Sequence, residues 1–139
     1  MAEPSRKTVA GEGITFYPAN RPGSPFSRAT RVGDVLYISG QIGNRPDGTL
    51  PEDLAGQTRQ TMQNIAAILA SVGSSLDAVF KCTVMLAEME RWHEFNKAYL
   101  EFFDPARLPA RSAFGAKKLV ANALVEIECC AFHPLVNTP

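Results

Sequence analysis

The sequence predicts an α+β domain in two layers: a mixed sheet with two helices on one face. Three observations predict it. Apolar residues recur at helical spacing in two stretches, about 52–72 and 89–103. Runs of β-forming residues precede, separate and follow them, at about 29–32, 35–39, 78–86, 110–117 and 123–132. The connections are short, and the resulting order, ββαβαββ, gives two one-sided helices a flat surface to lie on.

Taken in order, residues 1–25 are rich in Gly, Pro and small polar types, and Ile14-Thr15-Phe16-Tyr17 is their one apolar cluster. An extended, flexible segment is expected over 1–25 and a single domain over 26–139. Gly33-Asp34 is a hairpin dipeptide between two β-forming runs. Turn residues fill 44–48. The first helix shows Ala55, Thr58, Met62, Ile65, Ile68, Leu69 and Val72 near helical spacing, with Gly73 as its C-terminal cap. In the strand at 78–86, alternation sets Phe80, Cys82, Val84 and Leu86 on one face and Val79, Lys81, Thr83 and Met85 on the other. Trp92, Phe95, Tyr99, Phe102 and Phe103 supply the apolar side of the second helix, which Asp104-Pro105 closes.

At 139 residues the chain can bury a core without disulfides or metals. Lys plus Arg and Asp plus Glu each number 14, so no net field draws in a polyanion, and nucleic acid is disfavoured as a partner. No apolar run reaches the roughly 20 residues of a membrane span, and none resembles a signal peptide. Cys82, Cys129 and Cys130 lie in strand-like runs without metal-ligand spacing. Neighbours on a strand face opposite ways, so Cys129 and Cys130 make a poor disulfide pair. Small buried hydrophobes in a reducing cytoplasm are the expectation for them. His93, beside Trp92, is expected to be a partly exposed helical residue without a catalytic role.

The polar residues of the last third point to a site. Leu108-Pro109-Ala110-Arg111-Ser112 places an arginine directly after a proline-pinned extended entry, and Glu126 and Glu128 alternate on the following strand, on one sheet face. A face that presents carboxylates and accepts a guanidinium implies a polar pocket for a small anionic ligand. The face away from the helices, with Lys81, Thr83, Glu126 and Glu128 among apolar residues, is too polar for a monomer core and too apolar for a solvated sheet. A sheet-to-sheet oligomer interface with pockets at its seams is expected.

Five segments in order resemble the RidA family, also called YjgF-like reactive-intermediate deaminases. They are Pro25-Phe26-Ser27-Arg28-Ala29; Val35-Leu36-Tyr37-Ile38-Ser39-Gly40-Gln41-Ile42; Gln57-Thr58-Arg59-Gln60 through Asn64-Ile65; Phe95-Asn96-Lys97-Ala98-Tyr99 through Phe102-Phe103; and Leu108-Pro109-Ala110-Arg111-Ser112 with Val125-Glu126-Ile127-Glu128. The resemblance implies a chorismate-mutase-like fold and a homotrimer, its sheets packed into a barrel-like core with sites between subunits. It implies cofactor-independent hydrolysis of enamine or imine intermediates of the 2-aminoacrylate type, giving a 2-keto acid and ammonia. The partners would be small carboxylate-bearing imines, enamines or keto acids, with no metal and no membrane.

By the same resemblance, Arg111 is the carboxylate clamp, a role for which the planar fork of a guanidinium suits better than lysine. Glu126 positions the attacking water or acts as base, and Glu128 is structural. Asn96 faces a neighbouring subunit's site. Ser39 and Gly40 offer backbone groups, glycine permitting close approach. Phe26 walls the pocket where the family often has tyrosine, so a hydroxyl is absent. Ala113 stands where some members carry cysteine, leaving a backbone carbonyl to place water. Gly115-Ala116-Lys117-Lys118-Leu119-Val120 departs from the family's usual stretch and bears on substrate preference. Two alternatives stay open: an endoribonuclease or translation inhibitor, and a non-catalytic trimer that binds a small ligand in the same pocket.

Overall fold

The computed structural model describes residues 5–7 and 13–134. Its elements are β1 (Ser5–Lys7), β2 (Ile14–Pro18), β3 (Ser27–Val32), β4 (Val35–Gln41), α1 (Leu54–Ser71), β5 (Val79–Leu86), α2 (Trp92–Tyr99), β6 (Ala110–Gly115) and β7 (Val125–Phe132). The seven strands form one sheet in the order β1-β2-β3-β4-β7-β5-β6. Every pairing is antiparallel except β5 with β6, which is parallel. The α+β class, the mixed sheet and the two helices are as the periodicity indicates.

The sheet begins earlier than expected. β2 pairs with β3 along its length, Ile14 opposite Val32 and Tyr17 opposite Ala29, so the lone apolar cluster of the first 25 residues is a sheet strand. Of that expected segment, residues 1–4 and 8–12 lie outside the described residues, as do 135–139 of the chain.

Local chemistry sets the boundaries. The β3–β4 hairpin turns at Gly33, whose φ of 59° suits a residue without Cβ. Asp53 caps α1 by accepting from Gly56 N–H. At the other end Gly73, with φ 84°, gives a Schellman closure: Ser74 N–H donates to Leu69 C=O and Gly73 N–H to Ala70 C=O. α2 is shorter than its apolar spacing suggests, because 3₁₀ turns at Met89–Arg91 and Leu100–Phe102 continue the pattern on either side.

Both helices cover the same sheet face. Leu36, Ile38, Val84, Leu86, Val125 and Ile127 meet Met62, Ile65, Leu69 and Phe95 there, all buried. The opposite face carries Tyr37, Lys81, Thr83, Met85, Glu126, Glu128, Cys130 and Phe132 and is open within one chain. One expected alternation is corrected. Val79 is buried and Phe80 exposed, because the register slips between Val79 and Lys81. Phe80 is the extra residue of a β-bulge, which inverts the parity at the start of β5. Among the described residues, no helix is long and apolar enough to cross a membrane.

Candidate active site

Arg111 is placed by the one parallel pairing in the sheet. It stands opposite Cys82, which is buried beneath the helices, so Arg111 shares the helix-covered face. Its guanidinium carbon lies 5.0 Å from the ring centroid of Tyr99 and 5.6 Å from that of Phe95. Both rings come from α2, one turn apart. The ion pairs among the described residues join Arg59 to Glu101 and Arg91 to Glu88 and Glu94, and none reaches Arg111. Its N–H donors have no hydrogen-bond partner among the described residues. A half-buried guanidinium set over two ring faces, whose donors have no partner among the described residues, is chemically suited to an external anion.

Behind Arg111 lies a buried cluster. Cys82 faces Cys129 across β5 and β7, and both are free thiols. Burial pushes both thiols up from the ordinary cysteine range, so neither is a ready nucleophile. The Tyr99 hydroxyl is buried against the Cys82 thiol without a hydrogen bond of full geometry. Burial first, and Cys82 second, raise its pKa far above the ordinary tyrosine value.

Glu126 stands on the other face. It is opposite Met85, on the open side with Glu128, as the alternation predicts. Its carboxylate lies directly over Gly40 of β4, where a Cβ would overlap it. A bulge in β4 between Ile38 and Gln41 brings Gly40 under β7. Partial burial, and then the charge of Glu128, raise the carboxyl's pKa above the ordinary glutamate value.

The expectation that carboxylates and guanidinium share one sheet face is therefore corrected. Arg111 aligns with Cys82 and Glu126 with Met85, and these positions on β5 have opposite parity. Within one chain the two groups look away from each other across the sheet. A sequence carries each strand's own alternation but not the register that joins strands.

The other predicted residues divide between these two places. Ala113, two residues beyond Arg111, is half-buried on the helix side and packs on the core. Asn96 is half-buried on α2 next to Phe95, and its Oδ1 is buried without a hydrogen-bond partner. Ser39 uses its hydroxyl within the sheet, donating to Ser27 C=O at 2.6 Å. Gln41 donates its side-chain amide to the carbonyls of Ser39 and Gly40, at 3.1 and 3.3 Å. Phe26 is exposed and walls an open groove of about 990 Å³ between residues 19–28 and α1, lined also by Arg21, Arg28, Arg45 and Asn64. Phe95 and Tyr99 were legible only as apolar helix residues, since their contact with Arg111 depends on how α2 lies over β6.

A sequence model of the family described as Endoribonuclease L-PSP matches residues 18–133. The chain belongs to the endoribonuclease L-PSP family. Members related to it include a RutC family protein of Pyrococcus horikoshii, 40% identical over 116 residues that make up 82% of this chain and 91% of that protein. Another is the chloroplastic Reactive Intermediate Deaminase A of Arabidopsis thaliana, 33% identical over 91% of this chain and 68% of the relative. Among solved L-PSP-type structures, RidA from an Antarctic Psychrobacter superposes with a TM-score of 0.76 at 32% identity, covering 83% of this chain and 94% of that one. E. coli TdcF with bound serine superposes at 0.75 and 28% identity, covering 84% and 93%. The resemblance to RidA proteins and the fold it implies are thereby established for the L-PSP domain.

Proposed function

We propose that this L-PSP protein is a hydrolytic deaminase of small enamine or imine acids, converting 2-aminoacrylate-type intermediates to 2-keto acids and ammonia. The observation that carries the reading is Arg111, a half-buried guanidinium backed by two rings and lacking any acidic partner among the described residues. A carboxylate in its plane would supply the missing ion pair and fix the substrate's orientation. Glu126, with its raised pKa, suits the other half of the chemistry: holding a water and taking its proton as it attacks the C=N carbon. The Deaminase A name of one relative and the serine bound to TdcF support a ligand of amino-acid size.

Because Arg111 and Glu126 face opposite ways, a site using both takes them from two copies of the chain. The mixed polar and apolar open face, with Tyr37 and Phe132 exposed on it, favours closing such sites in a homotrimer of packed sheets. Phe26, Ser39, Gly40, Asn96 and Ala113 would line the seams.

Ammonia and keto-acid release from freshly generated 2-aminoacrylate, wild type beside Arg111→Ala, tests the activity. Rate enhancement lost in the variant, with the assembly intact, is the expected result; an active Arg111→Ala variant overturns the reading. The shared site has its own test. Arg111→Ala and Glu126→Gln variants, each inactive alone, regain part of the activity after joint unfolding and refolding into mixed assemblies. No recovery in demonstrated mixed assemblies would place both groups in one subunit's site.

A second reading, cleavage of single-stranded RNA, draws on the family description and on the groove beside Phe26. Among the described residues, three arginines line that groove and no acidic residue does. RNA cutting lost on joint substitution of Arg21 and Arg45 by alanine would favour it.

A further inference from the structure

We infer that Tyr99, with Phe95 beside it, is a positioning residue that fixes the plane in which Arg111 receives a carboxylate; the inference rests on the proposed carboxylate role of Arg111. A half-buried guanidinium has lost part of its hydration, and the described residues offer it no counter-charge. The negative ring faces of Tyr99 and Phe95 take that place on one side. They meet the group through its central carbon, at 5.0 and 5.6 Å, and leave N–H donors turned away from the rings to an incoming anion.

The platform is built to hold still. Phe95 and Tyr99 are 0% and 3% exposed. Their centroids are 5.4 Å apart, and Phe103 backs Tyr99 at 4.9 Å. The Tyr99 hydroxyl is turned into the core toward Cys82, away from any ligand, so what Tyr99 contributes is its ring. In a 2-imino or 2-keto acid the carboxylate is conjugated with the C=N or C=O bond and prefers to be coplanar with it. Fixing the guanidinium plane thus fixes the plane of the reacting carbon, and with it the face that water approaches. The ligand class is a flat, conjugated carboxylate.

The test compares wild type, Tyr99→Phe and Tyr99→Leu as full-length protein, with pyruvate as the probe. The readouts are pyruvate affinity and the NMR resonance of the Arg111 side-chain Nε–H, which a ring face shifts upfield. Expected are an upfield Nε–H in wild type and in Tyr99→Phe, with affinities within about twofold of each other. In Tyr99→Leu the shift largely disappears and affinity falls about tenfold, the scale of a partly desolvated cation–π contact. An unshifted Arg111 resonance in the wild type overturns the inference, and this measurement needs no variant to fold. A folded Tyr99→Leu that binds pyruvate as wild type does also overturns it. Failure of the wild type to bind pyruvate counts instead against the carboxylate role of Arg111; the resonance, read without ligand, still decides whether the platform exists.

Discussion

Gly40 lies directly beneath the Glu126 carboxylate, close enough that a β-carbon at position 40 would occupy the same space as Oε2. This contact joins β4 to β7 at the bulge and leaves the carboxylate no freedom to sink toward the sheet. Gly40→Ala therefore displaces Glu126 while leaving the core intact, since Gly40 does not have positive φ. The expected outcome is at least a tenfold fall in kcat for imine hydrolysis, on the order of what misplacing a catalytic base removes. The melting temperature should change little. Steady-state kinetics with thermal denaturation checks both.

The raised pKa of Glu126 predicts a pH signature. Burial and Glu128 disfavour the charged form in the folded chain, so over the interval just above the ordinary value of 4.5 the folded state holds more protons than the unfolded state. Stability contributed by this group is present below that interval and falls as pH rises through the folded pKa. For the proposed role of Glu126 activity runs the other way, because a base works ionised. The acid limb of kcat should fall above the ordinary glutamate range. The wild-type rate profile would show that limb, and Glu126→Gln should flatten the decline in stability, which denaturant titrations across the interval would show.

Gln57 ties three segments together from inside α1. Its amide donates to Pro51 C=O at 2.9 Å and its Oε1 accepts from Leu124 N–H at 2.8 Å, and the residue is buried. Gln57→Leu would leave the Leu124 N–H without this acceptor just before β7. A loss of about 1–3 kcal/mol is expected, the scale of an unpaired buried polar group. Urea unfolding should register it as a shifted midpoint at unchanged slope.

Ala121 and Asn122 both have left-handed backbone, with φ of 56° and 54°, in the loop between β6 and β7. An L-residue with a Cβ is disfavoured there by roughly 1 kcal/mol relative to glycine. Ala121 is exposed, so removing its methyl sacrifices little packing. Ala121→Gly should be neutral to stabilising by about 1 kcal/mol at most. A clear loss of stability in thermal unfolding would contradict this account of the loop.

How much of this was legible in the sequence varied with the physical origin of each feature. α1 was legible almost to its ends, because its apolar spacing and Gly73 are local signals that agree. The hairpin at Gly33-Asp34 was legible for the same reason. β2 was missed as a sheet member because its pairing with β3 is long-range, and its neighbours in sequence are Gly and Pro. Glu126 and Glu128 were placed on one face correctly, since a single strand's alternation suffices. The relation of Arg111 to Glu126 was not legible: it depends on the parallel crossover through α2, which sets Arg111 against Cys82. The ring platform and the carboxylate over Gly40 are likewise properties of register and packing between elements.

The bulge at the head of β5 gives the chain a tolerance to deletion that its sequence alone conceals. Phe80 has no partner on either neighbouring strand: β7 steps from Ala131 to Cys130 while β5 steps from Val79 to Lys81, and β6 begins opposite Lys81. Removing Phe80 would leave Val79, Cys82, Val84 and Leu86 facing the helices and Lys81, Thr83 and Met85 facing away, in unbroken alternation. Among the positions of β5, this is where a residue can be lost without turning the core inside out.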